Sequence, residues 1–600
     1  MLIRGWSALA VSWGWGGALY GLVVSLSLGL AGDVRDSLLL MFYVGLAFIV
    51  LGSFLYWLRA GIRALLRKKE TVSRSQPALA TASFGVFLLC FAVLLALGDF
   101  IMVLAFNPQV SWAWLITRDL LFVAGGGVLC WLLAGPASRG IGKLPKKFRD
   151  WRLLAVLWAL VVVPALLAPL LGASTPRFER RRSGPPAGLE VEDTGLKVLV
   201  FGIDAANWKV FEPLIEEGRL PVTAKLVESG VHATLISPPP QVSPAIWTTM
   251  VTGRRPEEHG VLKYLRVTMP GMVGFPFESL AQDMSLVPFF WVGLGYFMVG
   301  MAEGVPPTSD QIRVKTLWHM LADGGERFMV LGWPATWPAE PLDGLIVSDR
   351  FGPGELDMFS PPRESLGRLV HPPQIRERLD ELTVDSKGDC RPMLKALLDP
   401  TEAEIAELIG YAHNPLLPTA MELLTVLYDS DLSYLGFMRS EIIAGYRLAL
   451  IMIKAPDMAM HAFFPDRFPK DFGLEQSRHP KWGRIIDTVH ALVDEKMGEI
   501  IAAAGEDTVV LIISDHGMEA DPRNFIWPGW HGPEALMILA GGPVRGGGEL
   551  QDVGYLDITP TILYLLGYPV PQDLPGRVLT EAINEEFLQK FPVRRIPSYE

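Results

Sequence analysis

The sequence predicts two architectures in one chain: a multi-helix transmembrane domain, then an α/β domain whose mostly parallel sheet is sandwiched by helices. Three observations predict this. Residues 1–175 are almost continuously apolar, whereas the remainder reads as an ordinary globular chain. The charge divides at the same place. Residues 1–176 carry 15 Lys/Arg and 6 Asp/Glu, a net of +9, so the whole-chain value of −11 leaves about −20 beyond them. After residue 196, short continuous apolar runs lead into Asp and His, as in buried parallel strands with polar groups at their carboxyl ends. At 600 residues the chain is too long for one compact domain.

The membrane domain comes first. A bilayer core needs roughly 20 apolar residues in a helix, and five stretches qualify: about 6–31, 37–58, 77–105, 111–135 and 153–173. The first does not read as a cleavable signal, being long, preceded only by Arg4, and followed by other spans. Arg59, Arg63, Arg67, Lys68, Lys69 and Arg74 fill the loop between spans two and three. Arg139, Lys143, Lys146, Lys147, Arg149 and Arg152 fill that between spans four and five. Positive loops stay inside. The expected protein is therefore integral to the cytoplasmic membrane, with its N-terminus cytoplasmic and everything after span five extracytoplasmic. Arg177, Arg180, Arg181 and Arg182 point the other way, against two full basic loops. Asp99, Arg118 and Asp119 fall inside spans, where the simpler reading is snorkelling and local pairing. Residues 176–196, with Pro176, Gly184, Pro185, Pro186 and Gly188, read as a linker, and 197–600 as the second domain.

In that domain Lys197–Ile203 is a buried strand ending at Asp204. Ser243 followed by Pro244 marks a helix start, with Ser as cap and Pro as first helical residue. Taken alone the segment is a cap. The same geometry, free N–H groups beside a hydroxyl, also suits a phosphate and an activated nucleophile. The run 448–454 is a strand, followed by Asp457 and His461 at i and i+4, a spacing that puts both on one helical face, where alone they read more simply as a solvated face than as a metal pair. The run 509–514 is a third strand, leading to Asp515, His516 and Gly517, with Gly permitting a tight turn. His531 precedes a last apolar run at 535–540 and alone reads as a loop histidine. As a set, three carboxylates and three imidazoles suit two divalent cations, which could clamp the attacking and leaving oxygens of a phosphoryl group. All ten histidines lie beyond residue 200. Cys90 and Cys130 lie in apolar runs and Cys390 stands alone, so the second domain has no internal disulfide and no cysteine metal cluster. A domain this acidic lacks the basic footprint of nucleic-acid binding.

The order Asp204, Ser243, Asp457 with His461, Asp515 with His516, and His531 resembles the alkaline phosphatase superfamily. The segment SPAIWTTMVTGRRPEEHG, with SDHGM and DITPTILYLLGYPVPQDLPGRVL, resembles its type I phosphodiesterase and nucleotide pyrophosphatase branch, and more closely its bacterial group of predicted phosphohydrolases. The resemblance implies an alkaline-phosphatase-like domain over about 197–579. It implies two divalent metal ions, zinc by likeness, with manganese suiting the ligands nearly as well. Asp204, Asp515 and His516 would hold one beside Ser243, and Asp457, His461 and His531 the other. Ser243 would attack phosphorus and form a phospho-enzyme resolved by water or an alcohol. Nucleotide-hydrolysing members carry an Asn shortly after the H-G of this segment; Tyr264 falls there, which counts against nucleotide pyrophosphatase activity.

Two inserts, about 264–326 and 355–440, are expected to cap the site. Residues 285–301 are apolar enough for a sixth span, but a crossing there would split the ligand set across the membrane. They are expected to be buried core or to meet the outer membrane face or a lipid substrate. Three functions follow: a cell-surface phosphodiesterase or phosphatase acting on a phosphate ester, free or lipid-linked; a lipid-headgroup phosphotransferase of the envelope, by likeness of layout to phosphoethanolamine transferases; and a non-catalytic membrane scaffold, disfavoured because no ligand is missing. Membrane lipids are the expected partners, and nucleic acid is not.

Overall fold

The computed structural model describes Phe42, Leu46 and residues 184–600, apart from 240, 263, 265, 269–302, 352–367, 411–416, 443–444, 478 and 522–527. The predicted spans, save the helical Phe42 and Leu46, and the apolar segment 285–301 lie outside the described residues. Among the described residues no helix is long and apolar enough to cross a membrane.

The chain forms two compact units, one of residues 1–177 with 266–305, the other of 178–265 with 306–600. The strands described up to residue 540 are, in chain order, β1 (Lys197–Ile203), β2 (Val231–Ile236), β3 (Arg266–Thr268), β4 (Glu303–Val305), β5 (Phe328–Leu331) and β6 (Leu345–Val347). They continue with β7 (Val370–His371), β8 (Leu448–Ile453), β9 (Thr508–Ile513), β10 (Gly517–Ala520), β11 (Gly529–Gly532) and β12 (Glu534–Ala540). In the first unit, β3 and β4 pair antiparallel, Arg266 opposite Val305 and Thr268 opposite Glu303.

The second unit is built on an eight-stranded sheet of order β2-β12-β9-β1-β8-β5-β6-β7. The five strands β9, β1, β8, β5 and β6 are parallel, and β12, β2 and β7 join antiparallel at the flanks. The central strands β8 and β9 are buried at every position, which is why they read as unbroken apolar runs. Alternation along β1 sends Leu199, Phe201 and Ile203 to one face and Val198 and Val200 to the other. Each such side chain, fully buried, contributes about 1.5–3 kcal/mol relative to exposure.

Helices cover both faces. On the first lie α1 (Trp208–Glu216), α2 (Pro221–Ser229) and, later in the chain, α4 (Leu417–Glu441), α5 (Ala455–Arg467) and α6 (Pro480–Ala504). On the second lie α3 (Ser243–Thr252) and α7 (Ile558–Leu565). Gly202 lets α3 approach closely: a Cβ there would stand 2.9 Å from the Trp247 ring and 3.0 Å from that of Trp333.

Three boundaries differ from the expectation. The later part of the linker is docked, with Glu192 N donating to Gly567 O at 2.9 Å and Thr194 Oγ1 to Leu565 O at 2.8 Å. The first insert closes at β4. Residues 306–326 return to the second unit, where Leu317, Trp318 and Leu321 of the helix Leu317–Asp323 are buried in the core. In the second, β7 lies at the sheet edge and α4 buries Leu424, Leu435, Phe437 and Met438 in the core. Apolar side chains along these helices pack them onto the sheet.

Candidate metal centre

The parallel strands share one carboxyl edge, and the predicted ligands gather there. Asp204 follows β1, its N–H donating to Ile453 O of β8 at 2.9 Å. The chain then turns sharply at buried Ala205, whose φ of 60° lies in the left-handed region. Such a conformation costs about 1–3 kcal/mol and persists where packing dictates it. Asp515 and His516 follow β9 and are fully buried. Asp457 and His461 sit one turn apart on α5, His461 Nε2 lying 3.4 Å from Asp457 Oδ1.

The strand and helix ends differ in detail from the expectation. His531 is not on a loop but on β11, opposite Met518 of β10, so a hairpin returns it to the strand end that carries His516. Gly517 opens β10 at a place with no room for a side chain; a Cβ there would stand 2.0 Å from Glu534 O. Ser243 is the first residue of α3, with Val242 as the cap and no side-chain capping bond. Its hydroxyl is free for other partners: Oγ lies 3.1 Å from His516 Nε2 and 3.1 Å from Tyr264 Oη.

The three imidazoles are oriented alike. His461 Nδ1 lies 2.7 Å from Gly529 O, His516 Nδ1 2.9 Å from Gly517 O, and His531 Nδ1 3.2 Å from Gln241 O. A carbonyl only accepts, so each Nδ1 carries the proton and each Nε2 presents a lone pair. Those lone pairs converge. His461 Nε2 and His531 Nε2 are 3.1 Å apart, and His516 Nε2 is 3.5 Å from both Asp204 Oδ1 and Asp515 Oδ2. His531 stacks on His516, ring centroids 3.7 Å apart.

The electrostatics agree. Burial holds His516 neutral, its pKa down to about 3. Burial, then repulsion from His516 and His461, pushes His531 well below the usual range. Burial raises Asp457 to about 6, and burial with the charges of Asp515 and Asp457 raises Asp204 well above an ordinary carboxyl. Asp515 is likewise raised by burial. Asp204 Oδ1, Asp457 Oδ1 and both oxygens of Asp515 are buried without a hydrogen-bond partner.

Crowded carboxylates without donors, facing neutral imidazole lone pairs, are what divalent cations reconcile. Two Zn–N bonds of about 2.0–2.1 Å at a tetrahedral angle set their nitrogens about 3.3–3.4 Å apart, close to the separations above. Asp457, His461 and His531 present donor atoms within 4.8 Å of one another, as do Asp204, Asp457 and His516. The residues present therefore fit divalent metal ions.

Sequence reasoning named Tyr264 only as a departure; the structure sets its hydroxyl against Ser243. It missed Asp431, whose carboxylate accepts from Lys454 N and Ala455 N and so caps the helix bearing Asp457 and His461. It also missed Tyr555, whose hydroxyl donates to Asp515 O at 2.7 Å.

The family model described as type I phosphodiesterase / nucleotide pyrophosphatase matches residues 198–547, which include every residue above except Tyr555. Over 114 residues the chain is 36% identical to the 2,3-bisphosphoglycerate-independent phosphoglycerate mutase of Rippkaea orientalis, covering 17% of this chain and 21% of that one. Over 115 residues it is 30% identical to arylsulfatase K of Homo sapiens, covering 18% and 22%. The chain thus spans about a fifth of the length of these curated relatives. Among solved structures, human ectonucleotide pyrophosphatase / phosphodiesterase 5 aligns with a TM-score of 0.35 at 13% identity, covering 66% of this chain and 99% of that one. A mutant of the alkaline phosphatase PafA aligns with a TM-score of 0.39 at 11% identity, covering 66% and 100%. On the family match, which covers more than half of its length, the chain belongs to the type I phosphodiesterase / nucleotide pyrophosphatase family.

Proposed function

We propose that the chain is a two-metal-ion phosphoric ester hydrolase of phosphodiesterase type, acting at the outer face of the cytoplasmic membrane through a phospho-Ser243 intermediate. One observation carries the reading: three imidazoles, each anchored through Nδ1 to a backbone carbonyl, aim Nε2 at buried carboxylate oxygens that lack donors. Asp204, Asp515 and His516 would hold one ion and Asp457, His461 and His531 the other. Bound there, zinc or manganese would supply a lowered pKa for the serine hydroxyl and positive charge beside the phosphoryl oxygens.

The chain's own residues do the rest. Ser243 stands at the first turn of a buried helix, whose free N–H groups favour an anion in front of Oγ. Ser243 Oγ gives up its proton and forms the bond to phosphorus; the ester oxygen leaves with the electron pair of the broken bond and takes up a proton. Water then replaces Oγ on phosphorus. Buried Trp247 and Trp333, ring centroids 5.1 Å apart, fix the helix behind the serine against the sheet.

The test is release from a chromogenic phosphodiester and the matching phosphomonoester by the purified full chain, with and without chelator, beside Ser243→Ala. Metal-dependent release abolished by Ser243→Ala is expected; release that survives chelation or Ser243→Ala would overturn the reading. The five apolar stretches before residue 175 favour a second reading, transfer of the phospho-group from a lipid donor to an alcohol. It shares every residue named and differs only in the acceptor.

A further inference from the structure

Tyr264 stands where the resemblance leads to an asparagine, and its hydroxyl lies among four polar atoms. Oη is 3.0 Å from Ser243 N, 3.1 Å from Ser243 Oγ, 3.0 Å from Gln241 O and 3.4 Å from His531 Nδ1. A phenol has one proton to give and can accept from others. Ser243 N–H can only donate, so Oη accepts there. Gln241 O can only accept, but it already lies 3.2 Å from the proton-bearing Nδ1 of His531. The phenol proton therefore has two alternative acceptors, Gln241 O and Ser243 Oγ. When Oγ carries negative charge it is the stronger of the two, because charge-assisted hydrogen bonds are roughly twice as strong as neutral ones. Tyr264 is 43% exposed as a whole residue, while its hydroxyl is turned inward onto the serine.

We propose that Tyr264 is a catalytic hydrogen-bond donor to Ser243 Oγ, assisting its departure from phosphorus when the phospho-enzyme is hydrolysed. This rests on the phospho-Ser243 reading. In that half-reaction the water oxygen bonds to phosphorus, the P–Oγ bond breaks, and its electron pair goes to Oγ. The proton released by the water ends on Oγ, restoring the serine. Tyr264 hydrogen-bonds to Oγ as charge develops and keeps its own proton. The donor acts on the leaving oxygen of the second step, so its loss slows breakdown of the intermediate and spares its formation.

The test compares wild type, Tyr264→Phe and Ser243→Ala as full metal-loaded chains. Turnover of a chromogenic phosphodiester is followed, and acid-quenched samples are weighed by intact-mass spectrometry. Removing one donor to a developing oxyanion should lower kcat by about 10–100-fold. Because only breakdown slows, KM should fall in parallel, kcat/KM should hold, and protein phosphorylated on Ser243 should accumulate. A loosened site would instead lower kcat/KM without accumulation, and that result, or an unchanged kcat, would overturn the proposal. A wild type whose turnover survives in Ser243→Ala would refute the phospho-serine reading itself. Equilibrium binding of orthovanadate, which engages a serine oxygen as a five-coordinate phosphoryl mimic, decides the question independently of the ester chosen. Tyr264→Phe should bind it about tenfold more weakly, in keeping with the loss of one charge-assisted hydrogen bond. Equal affinity in the two proteins would overturn the proposal.

Discussion

Replacing Asp515 with Asn should stabilise the protein in chelator and make it the less stable form in zinc. Asp515 is fully buried, and neither carboxylate oxygen has a hydrogen-bond partner. An ionised carboxylate so placed carries an effective desolvation penalty of several kcal/mol. The neutral amide leaves unsatisfied polar atoms costing about 1–3 kcal/mol, so metal-free Asp515→Asn should gain roughly 1–3 kcal/mol at pH 8. Metal reverses the sign. Wild type at a thousandfold excess of ion over its Kd gains about 4 kcal/mol from binding, most of which an amide at this position forfeits. The assay is urea denaturation of the full chain in detergent, in EDTA and in zinc. The midpoints of the two proteins should exchange order between the two buffers. If wild type is the more stable in both, the buried oxygens are compensated by something other than a cation, and Asp515 is not a metal ligand.

Three further outcomes are expected. His461→Ala or His531→Ala should each remove metal-dependent turnover and, by equilibrium dialysis, cost one bound ion per chain; a variant still binding the wild-type number would clear that residue of ligation. Gly202→Ala would place a Cβ 2.9 Å from the Trp247 ring. Overpacking of this kind costs about 1–3 kcal/mol and should lower the urea midpoint and displace the serine helix, so an unchanged midpoint would contradict the packing described. Burial, only partly offset by the Ala455 and Lys454 amides and the Lys454 charge, raises Asp431 to about 7. A raised carboxyl contributes stability that is complete below about pH 4 and lost as pH rises through about 7, a span worth up to about 4 kcal/mol. Asp431→Asn should therefore gain on wild type as pH climbs from 4 to 8 in thermal scans; a pH-independent difference would refute this.

The parts of the second unit that were legible in the sequence are those where side-chain chemistry and backbone period coincide. The strands β1, β8 and β9 read as apolar runs because both faces of each are covered, and the polar residues after them fall at the carboxyl edge by the direction of the chain. Asp457 and His461 were half legible: one helical turn sets them side by side, but a solvated helix face has the same spacing, and only the full set of carboxylates and imidazoles singles them out. His531 was not: β11 is four residues long, and nothing in its sequence shows that it pairs with the strand following His516. Ser243 was ambiguous for a physical reason. A helix start offers the same Ser-Pro pair whether the hydroxyl caps the backbone or faces a substrate, and only its distances to His516 and Tyr264 separate the two.

The acceptors that orient the imidazoles leave no mark in the sequence, because Gln241 O, Gly517 O and Gly529 O are backbone atoms. What can be recovered is why two of them are glycines. A Cβ at Gly529 would stand 2.5 Å from Met460 O, beside the helix turn that carries His461, and one at Gly517 would strike Glu534 O. The glycines bring a carbonyl close enough to hold an imidazole proton, and that proton decides which nitrogen faces the carboxylates. Substituting Gly529 should therefore act on metal affinity before it acts on the serine chemistry, since the His461 ligand atom turns away while Ser243 and its helix are untouched. A Gly529→Ala protein that bound metal normally yet lost turnover would break this chain of cause, because it would uncouple the carbonyl from the tautomer it is held to set.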